Sequence, residues 1–199
     1  MTEIRPTVAI AHHSGYGHTA VLAEAVARGI AAAGGEAVLI AVDTITEEQW
    51  AQLDAADAIV FGSPTYMGTA SAAFHAFGEA SSKRWFTSAW GDKLAAGFTN
   101  SGSKAGDKSS TLAWFQVLAA QHGMTWVNLG LHPGWNASTA SEYDLNRLGY
   151  FGGAAAQTPV DGDAATVHKA DIATAEHLGQ RLTEQTRIVL AGRKVISGA

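Results

Sequence analysis

Apolar residues along this chain gather into short continuous runs closed by turn residues: Thr7 to His13, Ala37 to Ala41, Ala58 to Gly62, Leu94 to Thr99 and Thr125 to Leu129. Runs of this length without polar alternation predict strands buried on both faces. Between them the period changes. Alanine-rich stretches at Thr19 to Ala33, Glu47 to Leu53, Ala70 to Ser82 and Ser109 to His122 carry apolar residues at helical spacing, and Gly123 stops the last of them. Strand and helix alternate, which predicts an α/β fold with a doubly wound five-stranded parallel sheet and helices on both faces. The stretch from His132 to Asp163 breaks the rhythm with Gly, Pro, Asn, Ser and aromatic residues, and a closing helix is expected from about Ala164 to Leu190. An irregular segment of that length is functional or interfacial more often than idle.

Composition narrows the chemistry. With 199 residues, 47% of them hydrophobic, the chain reads as one domain over residues 1–199 with an insertion at about 132–163. No apolar stretch reaches membrane-spanning length, and Glu3, Arg5 and Pro6 interrupt any signal-peptide core, so a cytoplasmic protein without a membrane partner is expected. The absence of cysteine removes disulfides, thiolate catalysis and iron–sulfur clusters. Redox chemistry, if present, therefore needs a bound organic cofactor. A net charge of −5 argues against a nucleic-acid face and equally against dense acidity. The 8 histidines show no H-E-x-x-H spacing, so no metal is expected, and no G-x-S-x-G elbow supports a hydrolase.

The first strand runs into Ser14-Gly15-Tyr16-Gly17-His18-Thr19 and then directly into a helix. A glycine turn at a helix start presents free backbone N–H groups and a favourable dipole to a phosphate. Ser14 and Thr19 add hydroxyl donors. Two other readings compete: a plain glycine turn with Thr19 as N-cap, and a dinucleotide fingerprint made of Gly15, Gly17 and Ala20, with Asp43 as its ribose partner. After the third strand, Gly62-Ser63-Pro64-Thr65-Tyr66-Met67-Gly68-Thr69 brings a proline and an aromatic. After the fourth comes Asn100-Ser101-Gly102-Ser103-Lys104-Ala105-Gly106. In an open α/β sheet these loops share the carboxyl edge. Singly, each later loop also reads as an ordinary turn.

Taken together, these motifs resemble the flavodoxin-like NAD(P)H:quinone oxidoreductases of the WrbA type, over most of the chain. The resemblance implies FMN, with Ser14, Gly15, Tyr16, Gly17, His18 and Thr19 as phosphate loop, and Pro64, Thr65, Tyr66, Met67 and Gly68 as a second flavin loop. Asn100, Ser101, Gly102 and Ser103 would form the third. It further implies NADPH or NADH as donor, a quinone as acceptor, Tyr16 beside the nicotinamide, and Trp85 as a substrate wall donated by a neighbouring subunit of a homo-oligomer. Gln121 stands where the family carries a histidine, Lys104 and Ala105 where its third loop is richer in glycine, and Phe151-Gly152 where a Tyr-Gly pair is expected. A one-electron flavodoxin carrier, a nucleotide-binding dehydrogenase and an FMN-binding protein without turnover remain the alternatives. His122 reads as a helix C-terminal residue facing the dipole. Trp85, Trp90, Trp114, Trp126 and Trp135 are candidates for subunit contacts.

Overall fold

The computed structural model describes residues 4–198. In chain order the elements are β1 (Thr7–His12), α1 (His18–Ala32), β2 (Glu36–Ala41), α2 (Glu47–Ala55), β3 (Ala58–Tyr66), β4 (Thr69–Ala70), α3 (Ala72–Ala80), α4 (Ser82–Trp85), β5 (Leu94–Ser101), α5 (Lys108–Gln121), β6 (Thr125–Trp126), β7 (Ala154–Gln157) and α6 (Lys169–Ser197). The strands lie in the order β2-β1-β3-β5-β6. All neighbours along that path are parallel. This is the flavodoxin-like order, not the one that carries dinucleotides, and it puts the reversal between β1 and β3.

Alternation along β1 sends Val8 and Ile10 to one face and Ala9 and Ala11 to the other. The first face packs on Leu22 and Val26 of α1 and on Leu178 and Leu182 of α6. Those two helices meet backbone to backbone. A Cβ on Gly29 would sit 1.9 Å from the Glu176 carbonyl oxygen, and one on Gly179 would sit 2.2 Å from that of Val26. The second face is aromatic, with Phe61, Phe74, Phe77 and Phe115 beside Trp50 and Trp90. Trp90 is fully buried and stacks with Phe77 and Trp50, which removes it from the residues able to cover a subunit contact.

The fifth strand position differs most from expectation. The strand expected over Thr125 to Leu129 ends at Trp126, after which Val127 donates one last hydrogen bond to Ala95 at 2.7 Å and the chain leaves the sheet. It returns as β7, which pairs with the upper half of β5 from Phe98 to Ser101. The segment expected to be irregular over 132–163 thus contains a strand. Ala154-Ala155-Ala156 has poor strand propensity, and the pairing is imposed from outside. A Cβ on the preceding Gly153 would lie 2.2 Å from the Gly97 carbonyl oxygen, so only small residues let the returning chain come this close. The closing helix starts later than expected: Ala164–Thr166 form a separate 3-10 turn, and His168 caps α6 by accepting from the Ala170 N–H.

Candidate functional site

Between β1 and α1 the chain turns through Gly17, whose φ of +87° is left-handed and favours glycine. Gly15 is small for another reason, since a Cβ there would sit 2.6 Å from the Tyr66 hydroxyl. The N-cap residue of α1 is Gly17, which has no side chain to cap the helix. Ser14 Oγ accepts from the Ala20 N–H at 3.1 Å. Among the described residues, the N–H groups of Gly15, Tyr16, Gly17, His18 and Thr19 have no acceptor. A run of free donors at a helix start is an anion site. The His18 ring is anchored from one side: its Nε2 donates to the Gly162 carbonyl at 2.8 Å, which ties this loop to the chain after β7.

The expected second loop is largely strand. β3 continues through Pro64 and Thr65 to Tyr66, and Met67 and Gly68, both with positive φ, make a tight hairpin into β4. The Thr65 hydroxyl is engaged within the protein, within 2.8 Å of those of both Thr99 and Thr111, while the residue still lines the cavity described below. Tyr66 meets Tyr16 edge to face at 6.4 Å. Burial raises its phenol above the ordinary value, so near neutral pH it remains a proton-bearing donor. In the third loop, Asn100 Oδ1 accepts from the Thr158 hydroxyl at 2.9 Å, which leaves the Asn100 amide free to donate.

These three segments enclose a cavity of about 530 Å³ lined by Tyr16, His18, Thr19, Pro64, Thr65, Tyr66, Met67, Asn100, Ser101, Gly102, Thr158 and Val160. Gly68 and Ser103 line an adjoining groove. Thr158 and Val160 were not legible in the sequence. They follow β7, and the only signal for them was Pro159 after a run of alanines. The size, the free N–H groups and the flat aromatic walls fit a mononucleotide with a planar ring.

Trp85 and Gln121 lie elsewhere. They share a second hollow with Phe86, Ser88, Gly91, Asp92, His122 and Gly123. Asp92 precedes β5 and Gly123 precedes β6, so this hollow is at the opposite edge of the sheet from the loops around Ser14 and Asn100. Within one chain neither residue walls the cavity beside Tyr16. His122 does not face the helix dipole as a cation. It is buried, its Nε2 lies 2.8 Å from the Ser81 hydroxyl, and its ring is 4.4 Å from Trp90. Burial lowers its pKa, so the ring is neutral at pH 7.

The strand order and the donor-lined cavity at its reversal define a flavodoxin-like mononucleotide-binding protein. The family described as NADPH-dependent FMN reductase matches residues 10–132, and the chain belongs to that family. It is 43% identical over 176 residues to Flavodoxin FldP of Pseudomonas aeruginosa, covering 87% of this chain and 92% of that one. It is 33% identical over 144 residues to an NAD(P)H dehydrogenase (quinone) of Syntrophobacter fumaroxidans, covering 61% of this chain and 71% of the relative. The solved structure of a WrbA-like flavodoxin from Agrobacterium tumefaciens matches with a TM-score of 0.73 and 40% identity, over 92% of this chain and 98% of that one. FMN is accordingly the cofactor, with NADPH the donor that the family's description gives. Among the described residues, no helix is long and apolar enough to cross a membrane.

Proposed function

We propose that the chain is an FMN-dependent enzyme that passes two electrons from NAD(P)H to a quinone-type acceptor. One observation carries this reading: exposed flat or apolar side chains stand at the cavity's mouth, and among the described residues no aspartate or glutamate lines it. Tyr16 is 77% exposed and Met67 is fully exposed, so both stand at the mouth without covering it. A second planar molecule has room to stack there. Bound FMN supplies a ring that accepts a hydride and returns two electrons. The polypeptide's part is to bind and orient. The N–H groups of Gly15 to Thr19 hold the phosphate, with the hydroxyls of Ser14 and Thr19. Tyr16 and Tyr66 flank the ring, and Asn100, Ser101, Gly102 and Ser103 line its polar edge. The relative named as a quinone dehydrogenase supports the acceptor class.

A second reading, a one-electron carrier, is favoured by the 43% identity to a flavodoxin. Against it stands the charge: 18 acidic and 13 basic residues give no strongly acidic docking face to speed encounter with basic partners. Anaerobic mixing with NADPH or NADH separates the two. Rapid bleaching of the flavin, followed by reoxidation on adding benzoquinone, is expected. Failure of both nicotinamides to bleach it, with a persistent one-electron absorbance band under stepwise chemical reduction, moves the assignment to carrier. Trp85 and Gln121 reach an acceptor only in a neighbouring copy's cavity, so the reading also expects a homo-oligomer. Light scattering that returns the 20.7 kDa monomer at micromolar concentration would leave both residues without a catalytic role.

A further inference from the structure

Lys108 breaks three rules at once. It is a lysine with no exposed surface. It occupies the first position of α5, where a positive charge opposes the helix dipole. Its hydrogen bonds go to neutral oxygens, since Nζ donates to Ser101 Oγ at 2.7 Å and to the Ser103 carbonyl at 2.6 Å. The remaining side of the ammonium faces the Tyr150 ring, 5.8 Å from its centroid. The nearby carboxylate, Asp171 on α6, is already engaged bidentately by Arg147 at 2.7 and 2.8 Å. A buried cation kept at such expense is characteristic of a working site.

What it holds is the third loop, and it holds it by the carbonyls. The Ser101 carbonyl accepts from the Thr158 N–H at 3.2 Å, that of Gly102 from Gln157 Nε2 at 2.9 Å, that of Ser103 from Lys108, and that of Ala105 from the Tyr150 hydroxyl at 2.7 Å. In a planar trans peptide the N–H points opposite to its carbonyl. Pinning these carbonyls back therefore turns the following N–H groups of Gly102, Ser103 and Lys104 outward, and among the described residues none of the three has an acceptor. Ser101 and Gly102 line the cavity, and Ser103 lines the groove that adjoins it.

We propose that Lys108 is the positioning residue of this loop: its buried ammonium aims the N–H groups of Gly102 to Lys104 at the ring's polar edge, and its charge favours the cofactor when that edge becomes more negative on reduction. The proposal rests on reading Asn100 to Ser103 as a flavin loop. The charged groups around Lys108 are Asp107, which precedes it, Arg147 and Tyr150 from the insertion, and Asp171 from α6. Burial lowers the Lys108 pKa to about 8, with Arg147 lowering it and Asp171 raising it. The unfolded chain keeps that proton to higher pH. In the apoprotein this group therefore adds stability as pH rises above about 8. FMN works in the opposite direction, because it gains from the ammonium, so its affinity should fall as pH rises through the same region.

The experiment titrates apoprotein with FMN from pH 7 to 9.5 and measures the two-electron midpoint potential of the loaded protein, for wild type and Lys108→Met. Wild-type affinity is expected to weaken with a break near pH 8. Lys108→Met, which keeps the length without the charge, should bind FMN about tenfold more weakly at pH 7, with a flat pH profile and a more negative potential. A merely structural lysine would leave the potential and its pH dependence unmoved. Should the variant fail to fold, the wild-type profile alone decides, and affinity independent of pH overturns the proposal. Wild type binding FMN with Lys108→Met indistinguishable from it overturns the role of Lys108 alone. Wild type failing to bind FMN overturns the flavin-loop reading and this proposal together.

Discussion

Replacing Asp171 with alanine is expected to destabilise the folded chain by about 3–5 kcal/mol, the range for stripping one partner from a buried ion pair. The pair with Arg147 is almost wholly enclosed, with side-chain exposures of 3% and 1%. Asp171 Oδ2 also accepts from the Gln157 N–H at 3.0 Å. Loss of the carboxylate would strand a guanidinium and a backbone donor together, and neither could reach water without opening the seam between α6 and β7. The damage should spread toward the cavity, because the Gln157 side chain holds the Gly102 carbonyl. Urea unfolding of the apoprotein measures the effect. The double variant Arg147→Met, Asp171→Leu should recover most of the stability, since two apolar side chains leave no charge unpaired. A loss below about 1 kcal/mol for Asp171→Ala would mean that water reaches this pair in solution.

That pair and Lys108 show where sequence reading stops. Leu94 to Thr99 could be read as a strand, which the structure extends to Ser101, and the small-residue stretch after it as part of a site, because both signals are local: an apolar run, then glycine and serine. Nothing local marks Lys108, Arg147 or Asp171 as buried. Their burial comes from the insertion folding over α5 and from α6 closing behind it, and charged residues at those positions otherwise read as solvated surface. β7 escaped for a related reason, since its alanines pair with β5 only because small residues fit a space defined by other elements. The same tertiary fact hid Thr158 and Val160, which reach the cavity only by following that strand. Thr65 differs in another way: it stands in a loop-like stretch beside Pro64, yet it belongs to β3, which carries its hydroxyl inward to Thr99 and Thr111 while the residue still lines the cavity. The first loop was the most legible part, because a strand, a glycine turn and a helix start together fix where free N–H groups must be.

For that loop, the double variant Ser14→Ala, Thr19→Ala is expected to weaken FMN binding by ~10²- to 10⁴-fold, from ~1.5–3 kcal/mol for each charge-assisted hydrogen bond to the phosphate. Ser14 can serve two partners at once. Its oxygen accepts from the Ala20 N–H, while its hydrogen remains available to donate into the loop. Thr19 lines the cavity from the first turn of α1. Truncating Ser14 also frees the Ala20 N–H at the helix start, which by itself costs about 1 kcal/mol of helix stability. Riboflavin separates the two effects, since it offers the same ring without the phosphate. Titrating apoprotein with each ligand should show a large loss for FMN and little change for riboflavin. Equal losses for both would mean that the substitutions act by loosening α1, and no loss for either would place the phosphate outside this loop.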